Sequence, residues 1–224
     1  MSDAFSAFRA TMFRYVQKMG IDSLAWSFYG TTDGQHGRVR DWDLPLLGCL
    51  HYLIRSNGCS RVLESGTGRG VSTACIASAI FHRANFPRIT TFDISVLPGR
   101  DELWAMLPPE MQSCLDFHRG DSIAGMDKLI REGERFDAAL LDSNHDEETV
   151  TREFDRAVQL VVPGGLILIH DWLWKPGTVD HALDKFERWG YNVSRLWGAK
   201  DAVQEDDSLG LALIVNTPGE TRAE

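Results

Sequence analysis

Two apolar segments of the sequence each end on an acid with a histidine beside it. Residues 140–146 read LLDSNHD, and residues 166–171 read LILIHD. Histidine accepts a proton near neutral pH, and carboxylates together with imidazoles are common ligands of divalent cations. These residue types suggest a reaction centre, although acids at such positions also cap the helices or turns that follow. The four residues concerned are Asp142, His145, His170 and Asp171.

The surrounding pattern predicts how these residues are positioned. Apolar runs typical of buried strands alternate with helical stretches such as 71–84 and 147–161, which is the pattern of a parallel sheet covered by helices. The carboxyl ends of parallel strands meet at one edge, so both segments should end at the same place. The predicted strands are 61–65, 88–93, 115–120, 136–142 and 165–171.

The two ends of the chain depart from this alternation. After a helix at 179–190, two strands at 191–197 and 209–216 have only a loop between them, which predicts an antiparallel pair that closes the sheet. We therefore predict a doubly wound, Rossmann-like α/β fold with an antiparallel last strand. Residues 1–43 are predicted to form an N-terminal helical cap or lid, and residues 44–224 the ligand-binding domain.

Composition narrows the function classes. The chain has 224 residues, of which 43% are hydrophobic, enough for one sizeable core. The formal net charge of −9 argues against a basic face for nucleic acid or anionic lipid. The four cysteines form no CxxC pair, so neither a zinc knuckle nor a disulfide framework is predicted. With no apolar run near the roughly 20 residues of a membrane span, we expect a soluble, cytoplasmic protein.

A glycine-rich turn follows the first predicted strand. Residues 62–73 read VLESGTGRGVST. The dinucleotide fingerprint G-x-G-x-x-G is not met, because Val71 stands where its last glycine belongs, and no Gly-Lys-Ser/Thr of a P-loop follows. The pattern that fits is acid-x-G-x-G-x-G, formed by Glu64, Gly66, Gly68 and Gly70.

The acids around this turn indicate the charge of its ligand. Glu64, Asp93, Asp121, Asp142 and Asp171 all lie at or near the ends of predicted strands or just beyond them. Carboxylates gathered at one sheet edge repel a pyrophosphate and suit a ligand with an ammonium, a sulfonium and ribose hydroxyls. S-adenosylmethionine is such a ligand.

Over about residues 44–216 the chain resembles the class I S-adenosylmethionine-dependent methyltransferases. The resemblance implies that Glu64 and the loop at 66–70 hold the methionine part, that Asp93 binds the ribose hydroxyls, and that Asp121 with Ser122 binds the adenine edge. The cofactor-binding residues expected on this basis are Glu64, Gly66, Thr67, Gly68, Gly70, Ser72, Asp93, Asp121, Ser122 and Asp142.

The two histidine-containing segments resemble those of metal-dependent small-molecule O-methyltransferases, of the macrocin or mycinamicin type, the catechol type and the methyltransferase domain 24 group. Asp142 and His145 match a D-x-x-H segment that supplies a metal ligand and then a general base. Asp171 matches the acid that ends the next strand, His170 replaces an acid, and Trp172 replaces the Asn of the catechol type. The resemblance thus implies His145 as the base, Asp142, His170 and Asp171 as metal ligands, and Mg²⁺ as the cation, with a histidine ligand favouring Mn²⁺, Fe²⁺ or Zn²⁺ instead.

We therefore expect methyl transfer from S-adenosylmethionine to a hydroxyl of a small molecule, assisted by a divalent cation, with no nucleic acid or membrane as partner. A homo-oligomer is compatible with this function. Trp172 and Trp174 either stack on the acceptor or pack in the core. Three alternatives remain: methylation of nitrogen or a carboxylate without a metal, an oxidative enzyme of the cephalosporin hydroxylase type, and a non-catalytic cofactor-binding or assembly subunit.

Overall fold

The computed structural model of the protein describes residues 43–84, 86–95, 97, 99–172, 177–197 and 210–217. The predicted cap and lid, apart from Asp43, lie outside these residues, as does Trp174. Within the described ranges, no helix is long and apolar enough to cross a membrane.

Helices and strands alternate as the sequence predicts. The strands are β1 (Arg61–Ser65), β2 (Arg88–Asp93), β3 (Leu115–Arg119), β4 (Phe136–Leu141), β5 (Val161–His170), β6 (Val193–Trp197) and β7 (Leu211–Val215). The described helices are α1 (Asp43–Ser56), α2 (Val71–Ile80), α3 (Arg100–Ala105), α4 (Pro109–Gln112), α5 (Ser122–Glu132), α6 (Glu147–Leu160) and α7 (Val179–Arg188).

The seven strands form one sheet in the order β3-β2-β1-β4-β5-β7-β6. Strand β4 pairs in parallel with β1 and with β5, whereas β7 is antiparallel to both β5 and β6. The predicted antiparallel closing pair is therefore confirmed. Because Leu141 is in register with both Ser65 and Ile169, the ends of β1, β4 and β5 lie side by side.

Strand β5 begins four residues earlier than its predicted start at 165. Pro163 and Gly164 suggest a turn in the sequence, but Gly164 N donates to Asn216 O at 2.7 Å and Asn216 N donates to Gly165 O at 2.8 Å. These bonds carry the strand through the Pro-Gly pair. The pairing with β4 shifts register between Phe136 and Ala138, which accommodates the irregular stretch.

The chain divides into two compact units. The described residues of the first lie within 1–60, 67–89 and 95–116, and helices α1 and α2 pack together there around Ile54, Ile76 and Ile80. The second comprises the described residues of 61–66, 90–94 and 117–224.

The core of the second unit lies between helices and sheet. The rings of Phe154 on α6 and Phe186 on α7 stack with centroids 3.9 Å apart, and Tyr191 meets Phe154 edge-on at 4.9 Å. Burying such aromatic side chains contributes roughly 2–3 kcal/mol each. This packing anchors α6, whose first turn follows the D-x-x-H segment directly.

Candidate active site

Gly66 follows the last residue of β1 and lies against the end of β4. Its φ is +83°, and a Cβ there would lie 1.9 Å from the backbone oxygen of Asp142. The Gly66 amide donates to Phe92 O at 2.9 Å, and the Asp142 amide donates to Ser65 O at 2.9 Å. Glycine is therefore required at this position by the close packing of the protein's own backbone.

The rest of the glycine loop belongs to the first unit. Gly70 has a φ of +80°, and a Cβ there would meet the indole of Trp104, whose Nε1 donates to Gly70 O at 3.2 Å. Gly68 has a φ of +52°, but an added Cβ would meet no atom within 4 Å. A ligand that approaches this loop closely needs such open space beside the backbone of Gly68. Thr67 is buried, and Ser72 lies in the first turn of α2.

The predicted cofactor-binding acids of the second unit differ in their surroundings. Glu64 is fully buried near the end of β1 and accepts a hydrogen bond from Thr91 Oγ1 at 2.6 Å. Asp93 is half-buried at the end of β2, and its backbone oxygen accepts from Gly120 N at 2.9 Å. Asp121 is exposed and caps α5, because its carboxylate accepts from Ala124 N at 2.8 Å.

Ser122, predicted to bind the adenine edge with Asp121, lies in the first turn of α5. Its hydroxyl is buried and donates to Glu153 Oε1 at 2.6 Å. The structure thus gives the Ser122 hydroxyl a partner inside the protein, and a role at the adenine edge stays a prediction.

The ends of β4 and β5 bring together Asp142, His145, His170 and Asp171, which we call the histidine–carboxylate cluster. His170 Nδ1 lies 2.9 Å from Asp142 Oδ1 and 3.2 Å from Asp171 Oδ1. His145 Nε2 lies 3.4 Å from Asp142 Oδ1 and 3.3 Å from Asp171 Oδ2. Four residues from two separate segments therefore meet within hydrogen-bonding or ion-pairing range, as the parallel register predicts.

Asp142 and Asp171 cap neither of the described helices that follow them, α6 and α7. The N-cap of α6 is Asp146, whose carboxylate accepts from Thr149 N at 2.8 Å, and Glu147 and Glu148 occupy the first turn. Asp171 has a φ of +55°, which costs a non-glycine residue roughly 1–2 kcal/mol. Strain of this kind is retained where the surroundings hold it in place, often at functional sites.

The cluster shifts the pKa values of its members. Burial alone raises the pKa of the Asp142 carboxyl, but the charges and hydrogen bonds of His170 and His145 outweigh it and lower the pKa to about 2. Burial raises the pKa of Asp171 to about 6, against the opposing charges of His170 and His145. Burial lowers the pKa of His145, yet its hydrogen bond and charge interaction with Asp142 prevail and raise it.

A divalent cation fits this arrangement. One ligand atom from each of Asp142, His145 and His170 lies within 4.8 Å of the others. Adjacent ligands of an octahedral ion lie about 3 Å apart, close to the 2.9 and 3.4 Å that separate Asp142 Oδ1 from the two imidazole nitrogens. Asp171 Oδ1 is buried without a hydrogen-bond partner, so the site also holds an unsatisfied acceptor. The geometry brings His145, predicted as the base, into the same set as the predicted ligands.

Trp172 follows the cluster and packs in the core. Its side chain belongs to the buried cluster of the second unit, and the guanidinium of Arg195 lies 5.7 Å from its ring centroid. A Cβ at Gly210 would meet the indole at 2.2 Å. Packing, rather than stacking on an acceptor, is therefore the role the structure gives this residue.

Sequence reasoning missed Glu153, a fully buried carboxylate on α6. It accepts hydrogen bonds from Ser122 Oγ and Ser143 Oγ at 2.6 Å and from Ser65 Oγ at 2.9 Å. Burial raises its pKa, although the three hydroxyls oppose that shift. One signal was present: Glu153 lies three residues after Val150 and so falls on the buried face of the helix.

Comparisons with known proteins agree with this fold. The methyltransferase domain family Methyltransf_24 matches residues 63–172. Catechol O-methyltransferase domain-containing protein 1 of Mus musculus is 29% identical over 135 residues, which cover 58% of this chain and 47% of that protein. The match therefore spans about half the length of that relative.

Solved structures show the same architecture. The O-methyltransferase TomG from Streptomyces achromogenes, involved in tomaymycin synthesis and solved with SAM, is 18% identical, with 97% of this chain and 100% of that chain covered and a TM-score of 0.66. An O-methyltransferase from Bacillus cereus solved with SAH is 15% identical, with coverages of 92% and 90% and a TM-score of 0.57. Residues 63–172 thus match a methyltransferase domain family, the chain has the class I S-adenosylmethionine-dependent methyltransferase fold, and the resemblance to the O-methyltransferases is confirmed.

Proposed function

We propose that this protein transfers a methyl group from S-adenosylmethionine to a hydroxyl of a small molecule, with a divalent cation at the histidine–carboxylate cluster. The observation that carries the proposal is the cluster itself, which gathers two imidazoles and two carboxylates at the carboxyl ends of β4 and β5. In open α/β sheets this edge is where ligands bind.

The cofactor assignment follows from the charge and shape of the strand ends. Asp93 is half-buried at the end of β2 and is suited to accept two hydrogen bonds from ribose hydroxyls. Glu64 lies two residues before Gly66 and is assigned to the methionine part. The remaining cofactor assignments follow from the sequence motif: Thr67, Gly68, Gly70, Ser72, Asp121, Ser122 and Asp142.

His145 is assigned as the general base. S-adenosylmethionine supplies an activated methyl group, which the acceptor oxygen takes as the bond between sulfur and that methyl carbon breaks. The hydroxyl proton passes to the imidazole of His145, whose Nε2 lies 3.4 and 3.3 Å from the carboxylates of Asp142 and Asp171. Both carboxylates stabilise the imidazolium that results, and base catalysis of this kind contributes roughly 10²- to 10⁴-fold.

Asp142, His170 and Asp171 are assigned to hold the cation. A divalent cation bound there would lower the pKa of the acceptor hydroxyl and orient it. Since His170 contributes a nitrogen, we propose that Mn²⁺ or Fe²⁺ binds more tightly than Mg²⁺.

A second candidate function rests on one observation. Asp142, His145 and His170 together form a set of two histidines and one carboxylate, which is the ligand set of non-haem iron(II) oxygenases. An oxidative enzyme on this scaffold, as in the cephalosporin hydroxylase type, would use His145 as a ligand instead of a base.

One assay tests both candidates. The protein is incubated with S-adenosylmethionine carrying a radiolabelled methyl group and a panel of catechols and hydroxylated sugars, with Mg²⁺, Mn²⁺ or EDTA. We expect label to enter an acceptor and EDTA to abolish the transfer. Transfer that EDTA leaves unchanged would contradict the role of the cation. Oxygen consumption with Fe²⁺ and no label transfer would favour the oxidative candidate.

A further inference from the structure

Glu153 connects three segments that end at the same sheet edge. Its carboxylate is fully buried and lies on α6, two turns into the helix. Oxygen Oε1 accepts hydrogen bonds from Ser122 Oγ and Ser143 Oγ, both at 2.6 Å, and Oε2 accepts one from Ser65 Oγ at 2.9 Å. A single side chain is thus bonded to the end of β1, the start of α5 and the loop after β4.

Each of the three serines is the chain neighbour of a residue assigned to the cofactor. Ser65 precedes Gly66, Ser122 follows Asp121, and Ser143 follows Asp142. A shift of any serine moves the backbone of its neighbour.

We propose that Glu153 is a positioning residue for cofactor binding, an inference that rests on the proposed function. It fixes the three serine-bearing segments relative to one another, so that the groups meeting the cofactor are arranged before it arrives. Preorganisation of this kind raises affinity because the cost of ordering those groups is met on folding and not on binding.

The carboxylate is needed because all three hydroxyls donate to it. In Glu153→Gln the carbonyl oxygen retains two of the acceptor bonds, while the amide NH₂ replaces the third acceptor with a donor. If the amide oxygen stays with Ser122 and Ser143, the amide NH₂ faces Ser65 Oγ, which can accept from it but loses the acceptor for its own proton. The substitution therefore keeps the volume, reverses the hydrogen bond at Ser65 and leaves the Ser65 proton without its carboxylate acceptor.

The test measures S-adenosylhomocysteine affinity by calorimetry together with the Tm. We expect Glu153→Gln to weaken S-adenosylhomocysteine about tenfold, the effect of losing a hydrogen bond to a charged group. Ser65→Ala should weaken it by several-fold in the wild-type background and by a clearly smaller factor in the Glu153→Gln background, because the bond that Ser65 donates is already lost there.

A matched control separates positioning from stability. Leu160 is buried at the other end of α6, about 10 Å along the helix from Glu153. Leu160→Ala should lower the Tm at least as much as Glu153→Gln and leave the affinity for S-adenosylhomocysteine unchanged. If both variants lower the Tm and neither alters that affinity, Glu153 is structural and the inference is overturned.

The serine variants provide a second test of the network. If Glu153→Gln does not fold, Ser65→Ala and Ser143→Ala each remove one hydroxyl from the network. Unchanged affinity in both would overturn the inference, and weaker affinity in both would support it. If the wild-type protein itself does not bind S-adenosylhomocysteine, the proposed function is overturned and this inference with it. If the wild type binds it and the variants bind it with the same affinity, only the inference is overturned.

Discussion

Two polar groupings lie close together in the second unit, and they differ in how well their atoms are satisfied. Around Glu153, three hydroxyls donate to two carboxylate oxygens, and both oxygens have a partner. In the histidine–carboxylate cluster, two acids and two imidazoles lie within 3.4 Å of a neighbour, and Asp171 keeps a buried oxygen without a hydrogen bond and a φ of +55°.

The difference separates a network that holds the cofactor-binding segments in place from one arranged for chemistry. Fully bonded buried polar groups rigidify a fold, whereas unsatisfied ones cost stability and are retained when a ligand or a reaction uses them. Removing a member of the first network should therefore cost stability and, through the segments it positions, cofactor affinity. Removing a member of the second should lower turnover or metal affinity with little loss of stability.

The largest effect is expected at His145. His145→Ala should lower turnover by roughly 10²-fold or more, because the acceptor proton loses its base, while affinities for S-adenosylhomocysteine and Mn²⁺ stay unchanged. Methyl-transfer kinetics and calorimetry measure the three quantities. His181→Ala on the surface of α7 is the control, and its activity should equal that of the wild type. A parallel loss of Mn²⁺ affinity in His145→Ala would make His145 a ligand and not the base.

Asp93 should give the next effect. Charge-assisted hydrogen bonds to two ribose hydroxyls contribute roughly 1.5–3 kcal/mol. Asp93→Ala should therefore weaken S-adenosylhomocysteine binding about tenfold or more in calorimetry, with the Tm little altered. Glu132→Ala, at the far end of α5, removes the same charge from a site remote from the cofactor edge and should not alter the affinity. Equal affinities in both variants would show that the end of β2 does not meet the ribose.

Asp171→Asn tests the comparison most sharply. The amide keeps the size of the side chain but removes the buried carboxyl group, whose pKa is raised to about 6 by burial. We expect Mn²⁺ affinity and activity to fall together by about tenfold, the usual order for a lost ligand or its support, with no loss of Tm. A large drop in Tm with intact metal binding would place Asp171 with the structural network.

The smallest effect concerns His51, a buried histidine of α1. Burial and the charge of Arg55 lower the pKa of His51 to about 4, below its unfolded value near 6.5. A depressed histidine pKa means that the unfolded state binds more protons, so stability is present above pH 6.5 and is lost as the pH falls toward 4.

Urea unfolding measures the size of this loss. Between pH 7 and 5.5 the wild type should lose about 1 kcal/mol through His51, and His51→Gln should remove that part of the pH dependence. An identical pH dependence in both proteins would contradict the assignment. The pKa of His145, by contrast, is raised by its hydrogen bond and charge interaction with Asp142, against the effect of burial.

The sequence predicts the fold and much of the site for definite physical reasons. Continuous apolar runs and glycine turns locate the strands of the sheet, and parallel register then requires Asp142 and His170 to be neighbours. Side-chain partners are not contained in that pattern. Tertiary packing alone decides three features of the site. Trp172 is buried, Ser122 donates its hydrogen bond to Glu153, and Nε2 of His145 faces both Asp142 and Asp171.

The most direct test of the account is a calorimetric titration of the wild-type protein with S-adenosylhomocysteine and, separately, with NAD⁺. The acids at the ends of β1, β2 and β4 favour a ligand without a pyrophosphate, so we expect S-adenosylhomocysteine to bind with one site per chain and NAD⁺ to give no heat of binding. Tighter binding of NAD⁺ than of S-adenosylhomocysteine would contradict the assignment of this protein as a methyltransferase.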